Sequence, residues 1–225
     1  INAIRNNITL DQQESKHITK VLRKKKGDIL NLTDAKGNLY RAKIINSHNK
    51  KCQLEIISKK EQEKQHNYYS HIAIAPTKNI DRFEWFLEKP TEIGIDEITP
   101  IICKHSERKT IKQERSHKIL MSAMKQSLKF HVPKLNDIID FKTFTEQTTK
   151  INKYIAHCQG DNDLELKNIK DIKKTLIAIG PEGDFSNKEI ELALSNNFKS
   201  VNLGSSRLRT ETAAIVALNT INIIN

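Results

Sequence analysis

Two short runs late in the chain carry residue types suited to holding a ligand. Gly180-Pro181-Glu182-Gly183-Asp184-Phe185 follows an apolar run ending at Ile179, and Gly204-Ser205-Ser206-Arg207-Leu208-Arg209 follows Leu203. Three of the 7 glycines lie in these runs. Glycine lets the backbone approach a ligand closely and adopt positive φ. Ordinary turn chemistry explains either run taken alone; two such exits in succession point to a site. Arg207 and Arg209 add a pair of guanidinium groups that can stabilise developing negative charge, with a solvated surface pair as the competing account. Glu182 and Glu211 are the carboxylates nearest to the runs, able to orient an arginine or accept a proton. Glu211 reads equally well as a first-turn helix residue favoured by the helix dipole. The runs match neither G-x-G-x-x-G nor G-x-x-x-x-G-K-[ST], which argues against a dinucleotide or a nucleoside triphosphate. No His, Cys or carboxylate cluster has ligand spacing, so no metal is expected and a metal-dependent hydrolase is disfavoured.

The elements that must position these runs alternate. Residues 71–75 read as a short buried strand and 81–93 as a helix with Phe83, Phe86 and Leu87 on one face, interrupted by Pro90. Residues 97–103 form a strand, and 114–130 a helix with Ile119, Leu120, Ala123, Met124 and Leu128 at helical spacing. Strands follow at 154–158, 175–179 and 200–203. Ser186 with Glu189 forms a capping box, and an apolar helix closes the chain from Thr210 to Ile224. Such alternation implies an α/β domain with a mostly parallel sheet covered on both faces. In open α/β sheets, ligands bind beyond the carboxyl ends of the strands, where both glycine runs fall. The first third differs. Short strands at 28–33, 39–45 and 52–57, with one helix over 15–23 carrying Ile18, Val21 and Leu22 on one side, predict a compact β-barrel-like module. The polar stretch 61–67 reads as a linker, giving expected domains 1–68 and 69–225.

Charge sharpens this division. The 225 residues carry 38 Lys and Arg against 27 Asp and Glu, a net charge of +11, which suits a polyanionic partner. Residues 1–68 hold 15 basic and 7 acidic side chains, and residues 69–225 hold 23 and 20. The front module is therefore the expected electrostatic grip. No stretch approaches the roughly 20 apolar residues of a membrane span, and no signal peptide is evident, so nucleic acid is favoured over a membrane. Cys52, Cys103 and Cys158 are isolated and read as free thiols of a reducing, cytoplasmic environment.

The run Ile179 to Ser186, then Leu203-Gly204, then Leu208-Arg209-Thr210-Glu211-Thr212-Ala213-Ala214 resembles the RsmE family of small-subunit (16S) ribosomal RNA uridine-N3 methyltransferases, within the SPOUT superfamily. Asp81-Arg82, Glu88-Lys89, Thr91 to Gly94, Ile98 to Ile101, Gln126-Ser127 and Val132-Pro133 continue the likeness upstream, and His17, Val21 to Arg23 and Gly27-Asp28 extend it to the front. Three positions depart from the family pattern: Asp184 for a second glycine, Pro90 for Ala or Cys, and Lys125 for Glu.

The resemblance implies a PUA-like RNA-binding barrel followed by a SPOUT α/β domain with a deep trefoil knot, assembled as a homodimer. It implies S-adenosyl-L-methionine bound among three loops: one at His157, one carrying Ile179, Gly180, Pro181 and Gly183, and one carrying Leu203, Gly204, Leu208 and Thr210. Their residue types suit a cofactor without phosphate, whose adenine needs apolar walls and backbone hydrogen bonds. Arg209 is the expected catalytic group for a uracil losing its N3 proton, with Glu182 or Glu211 assisting. Ribosomal RNA would be held by Arg5, His17, Arg23, Lys24 and Arg207, with Lys25 and Lys26 beside them; a solvated charge run is the alternative for 24–26. Another SPOUT enzyme acting on transfer RNA or a different ribosomal site, or a cofactor-free RNA-binding module, are the competing readings.

Overall fold

The computed structural model describes residues 7–147, 151–159, 164–170 and 172–225. It divides into two compact units, Ile1–Lys64 and Gln65–Asn225. The division falls before the expected boundary at residue 68. Tyr68 is buried and donates its hydroxyl to Asn222 Oδ1 at 2.8 Å, while His66 stacks on its ring at 4.5 Å. Those contacts tie residues 66–68 to the second unit.

In the first unit β1 (Asn7–Thr9), α1 (Gln12–Lys16), β2 (Ile29–Thr33), β3 (Asn38–Asn46) and β4 (Gln53–Glu61) follow in sequence. The strands form an antiparallel sheet in the order β1-β4-β3-β2. Alternate residues Ala42, Ile44, Leu54 and Ile56 face a small core with Ile18 and Cys52. The expected helix over 15–23 takes another form: α1 widens at His17–Val21 into a π-turn. That change of pitch rotates Val21 and Leu22 away from the core, leaving them 66% and 51% exposed while Ile18 stays buried.

The second unit contains β5 (Tyr69–Ile74), α2 (Ile80–Ile93), β6 (Glu97–Ile102), α3 (Gln113–Gln126), β7 (Lys134–Leu135), β8 (Ile139–Asp140) and α4 (Phe141–Gln147). After these come β9 (Asn152–Ala156), β10 (Lys174–Ile179), α5 (Asn187–Ser195), β11 (Phe198–Val201) and α6 (Thr210–Ile224). The strands pair in parallel in the order β11-β9-β10-β5-β6-β7, with β8 also pairing β6. Both faces are covered, so the central strands read as near-continuous apolar runs. Ile72, Ile74, Ile177 and Ile179 face a core shared with α2, α3 and α6. Ala73, Leu176, Ala178 and Ile101 face the opposite core, with Phe141, Phe144 and Phe185. α6 buries Ala214, Ala217, Leu218 and Ile221, one stripe at helical spacing.

Two local expectations fail for identifiable reasons. α2 reaches the expected end at Ile93 but runs through Pro90 without the expected interruption. Phe83, Phe86, Leu87 and Pro90 are all buried on one face, Thr91 Oγ1 donates to the Leu87 carbonyl at 2.8 Å, and Gly94, at φ 121°, closes the helix. α3 ends at Gln126, before Leu128, which takes φ 55° and is 78% exposed. The reversal towards β7 needs a left-handed residue there, and Ser127 Oγ caps the helix on the Ala123 carbonyl at 2.7 Å.

Candidate active site

The parallel strands aim their carboxyl ends at one group of loops. The described parts of these loops are bonded to one another. Thr210 Oγ1, buried in the first turn of α6, donates to the Gly180 carbonyl at 3.1 Å. The Lys78 amide, after β5, donates to Glu182 Oε1 at 3.0 Å. The Cys158 amide, after β9, donates to Asp184 Oδ2 at 3.0 Å, and the Gln159 side chain donates to the Phe185 carbonyl. The loops carrying His157, Gly180 to Gly183, and the start of α6 are thus linked through named hydrogen bonds.

The glycines act differently from the sequence expectation. Gly180 and Gly183 are absent from the left-handed region. A Cβ on Gly180 would meet the Phe185 ring at 3.0 Å, and one on Gly183 would meet His105 Cβ at 3.0 Å. Both therefore make room for the protein's own side chains. Gly204 alone fits the expected pattern: its φ is 113° and a Cβ there would meet nothing within 4 Å. In the first loop Asp184 is the left-handed residue, at φ 62°. Its carboxylate accepts from the Cys158 and Phe185 amides at 3.0 and 2.8 Å.

The remaining site residues sort by what they have left to offer. Ile179 and Pro181 are buried, Leu203 and Leu208 are half-buried, and Gly204 is exposed, giving the loops apolar, partly open walls. His157 Nε2 bonds Ser200 Oγ at 2.8 Å, and Nδ1 accepts from the Gln159 amide at 3.2 Å. Both ring nitrogens are spent, and burial pushes the imidazole pKa down, so His157 is a neutral strut between β9 and β11 that offers a ligand its ring face. Arg207 and Arg209 are exposed, and no partner holds either guanidinium among the described residues. Arg209 is also the N-cap residue of α6.

The two carboxylates divide sharply. Glu182 is exposed and engaged with the Lys78 amide. Glu211 is 7% exposed; its Oε1 lies 3.9 Å from Arg82 Nε and its Oε2 has no protein partner. A buried carboxylate oxygen without a donor is costly, and such an atom in a native fold calls for a ligand or water. Arg82 was not among the expected site residues. Asp81-Arg82 was visible as a motif, but only folding brings α2 against the first turn of α6.

In the first unit His17 and Arg23 are exposed, and Lys24 is half-buried with its amide on the Ile18 carbonyl at 3.0 Å. Arg23 takes φ 52° and ends the helical turn. Exposed Val21, Leu22, Lys25 and Lys26 lie beside them in the chain. Arg5 lies outside the described residues. Cys52, Cys103 and Cys158 are free. No helix among the described residues is long and apolar enough to cross a membrane.

The second unit is an α/β domain with a parallel sheet and a loop cluster at its carboxyl end, carried in one chain with an antiparallel front unit. A family model described as RNA methyltransferase domain matches residues 46–222, and one described as RNA methyltransferase PUA domain matches residues 10–57. A Mesomycoplasma hyopneumoniae protein named Ribosomal RNA small subunit methyltransferase E is 32% identical over 80% of this chain and 79% of its own. The crystal structure of a "probable rRNA-methyltransferase" from Porphyromonas gingivalis superposes with a TM-score of 0.91 at 41% identity, covering 96% of this chain and 92% of that one. A Legionella pneumophila methyltransferase solved in complex with the bound cofactor SAM gives 0.88 at 27% identity, covering 99% and 94%. The chain belongs to the ribosomal RNA small subunit methyltransferase E family.

Proposed function

We propose that this protein transfers the methyl group of S-adenosylmethionine to N3 of a uridine in small-subunit ribosomal RNA. The observation that carries the reading is the convergence, at the carboxyl ends of β5, β9, β10 and β11, of apolar loop walls, an Arg209 with no partner among the described residues, and the buried, half-satisfied Glu211. The donor set suits this cofactor. Leu203, Leu208 and Ile179 supply apolar surface, and Gly204 leaves open space. The related Legionella structure holds the same cofactor. When bound, S-adenosylmethionine supplies an electrophilic methyl group on sulfonium.

The chain's own residues do the rest. Uracil N3 becomes nucleophilic only as its proton leaves, and the ring's oxygens then carry the charge. Arg209, free at the mouth, directs its guanidinium at O2 or O4 and stabilises that charge. Of the two carboxylates, Glu211 is the buried one, with an oxygen that no described donor meets and that can accept the N3 proton, while the exposed Glu182 holds the Lys78 loop in place. Thr210 fixes the start of α6 against Gly180, which sets where both groups point. His17, Arg23 and Lys24 of the front unit, with Arg207, take RNA phosphates that position without reading sequence.

The same reading includes the homodimer, cytoplasmic location and trefoil knot of the family. For the knot, the supporting observation is a parallel bridge between Glu165 and Asn202, flanked by bonds from Asn202 N to the Leu164 carbonyl at 3.0 Å and from Leu166 N to the Asn202 carbonyl at 3.1 Å. The chain leaving β11 therefore runs beside the segment that precedes β10.

The test is mass-spectrometric mapping of ribosomal RNA from a strain lacking the gene, together with methylation of that RNA by the purified protein. A missing methyluridine restored in vitro is expected. Full modification in the deletion strain, or methylation of transfer RNA instead, refutes the reading.

A further inference from the structure

The second unit carries only a small charge excess, but the excess is concentrated. Residues 104–112 hold four Lys and Arg against one Glu, a balance of +3, equal to the whole excess of residues 69–225, which is 23 against 20. This stretch leaves β6 at the end of the sheet where the candidate site lies. It is exposed yet firmly built. The Cys103 amide donates to Ser106 Oγ at 2.9 Å, and the Lys104 amide donates to Glu189 Oε1, the capping carboxylate of α5, at 2.7 Å. His105 Nδ1 lies 3.0 Å from the carbonyls of both Gly183 and Asp184; two acceptors there place the ring proton on Nδ1. Arg108 spends its guanidinium on the Thr77 and Lys78 carbonyls at 3.0 and 2.7 Å. Glu107, the single acid, is paired with Lys78 at 2.8 Å.

What remains unspent is cationic. Lys104, Lys109 and Lys112 are exposed, and none of their ammonium groups has a partner among the described residues. Because residues 103–108 are held by these bonds, binding an anion there orders side chains but little backbone, unlike a solvated run on a loose loop. Their spread over nine residues exceeds what one small anion needs and suits successive phosphates along a strand.

We propose that loop 104–112 is a second RNA-contact surface, in which Lys104, Lys109 and Lys112 take phosphates of the strand that carries the target base. This rests on the RNA methyltransferase reading above. The bonds from His105 to Gly183 and Asp184 seat that strand against the same loop that forms the cofactor wall, so backbone phosphates and target base are placed by one rigid segment.

The test uses the full chain with Lys104, Lys109 and Lys112 all changed to Glu. Binding of a deproteinised small-subunit ribosomal RNA fragment is followed across salt concentrations, with methyl transfer measured separately. Losing three contacts to single-stranded RNA makes the log–log salt slope shallower by about 2, at roughly 0.7 per phosphate. The RNA KM rises at least about 10-fold, while S-adenosylmethionine affinity and melting temperature stay as in the wild type. An unchanged slope and KM overturn the proposal. So does a variant that binds free RNA normally but fails only on assembled subunits, since the partner would then be a protein. If the wild-type protein binds RNA through this loop yet transfers no methyl group, the methyltransferase reading fails and the surface stands.

Discussion

Replacing Asp184 separates two effects that its side chain and backbone combine. The residue sits at φ 62°, where an L side chain is strained, and its carboxylate joins the loop after β9 to the loop after β10. Two hydrogen bonds to an ionised acceptor contribute about 1.5–3 kcal/mol each when sheltered. Asp184 is half-exposed, so about 1 kcal/mol each is the fitting value here. Asp184→Ala loses both bonds and keeps a side chain poorly suited to the left-handed region, so about 2–3 kcal/mol is expected. Asp184→Gly loses the same bonds but relieves about 1 kcal/mol of strain, leaving about 1–2 kcal/mol. In a chain of this size, 1 kcal/mol moves the melting temperature by about 2–4 °C. Alanine should therefore lower it by about 4–12 °C and glycine by visibly less. Calorimetric titration with S-adenosylmethionine should weaken for both variants, because both release the Cys158 amide from its anchor. Glycine as damaging as alanine would refute the strain argument; full cofactor affinity in both would refute the role of the bridge in shaping the site.

Other consequences are independent of that loop. Arg209→Ala should lower turnover by about 10²–10³ while leaving cofactor affinity within twofold, as for loss of one oxyanion-stabilising donor; unchanged turnover disposes of its catalytic role. Glu211→Gln should cut turnover while leaving thermal stability intact, since it takes a buried charge out of a half-satisfied position; wild-type turnover in the variant excludes Glu211 as proton acceptor. His71, on β5, is buried with Nε2 2.7 Å from Thr99 Oγ1 of β6, and burial lowers its pKa to about 4, below the ordinary 6.5. The unfolded chain binds that proton more readily, so stability present above pH 6.5 should fall by about 3 kcal/mol as pH drops towards 4. Denaturant titrations at several pH values should show this slope, and His71→Gln should flatten it. Glu97 is depressed to about 2: burial opposes the shift, but hydrogen bonds from Asn136, Tyr69 and Lys134 outweigh it. Its contribution is complete above the ordinary carboxylate range and is lost as pH falls towards 2, so Asn136→Ala should reduce acid resistance.

Much of this protein was legible in its residues because periodicity records burial. The alternating strands, the α5 capping box and the extent of α6 follow from side-chain pattern, and the glycine runs fall after the carboxyl ends of β10 and β11. The resemblance to the RsmE family named the chemistry from motifs alone. Tertiary packing decided what local pattern could not carry. Pro90 stays within a helix because its neighbours are held against the sheet, and Leu128 leaves one because the chain must turn there. Gly180 and Gly183 are glycines for the sake of Phe185 and His105, contacts made across 5 and 78 residues of chain. Glu211 was ambiguous until folding buried it beside Arg82 and left one oxygen unmet. A sequence specifies which groups a chain owns; which of them remain unsatisfied, and so free to act, depends on neighbours that only the folded sheet supplies.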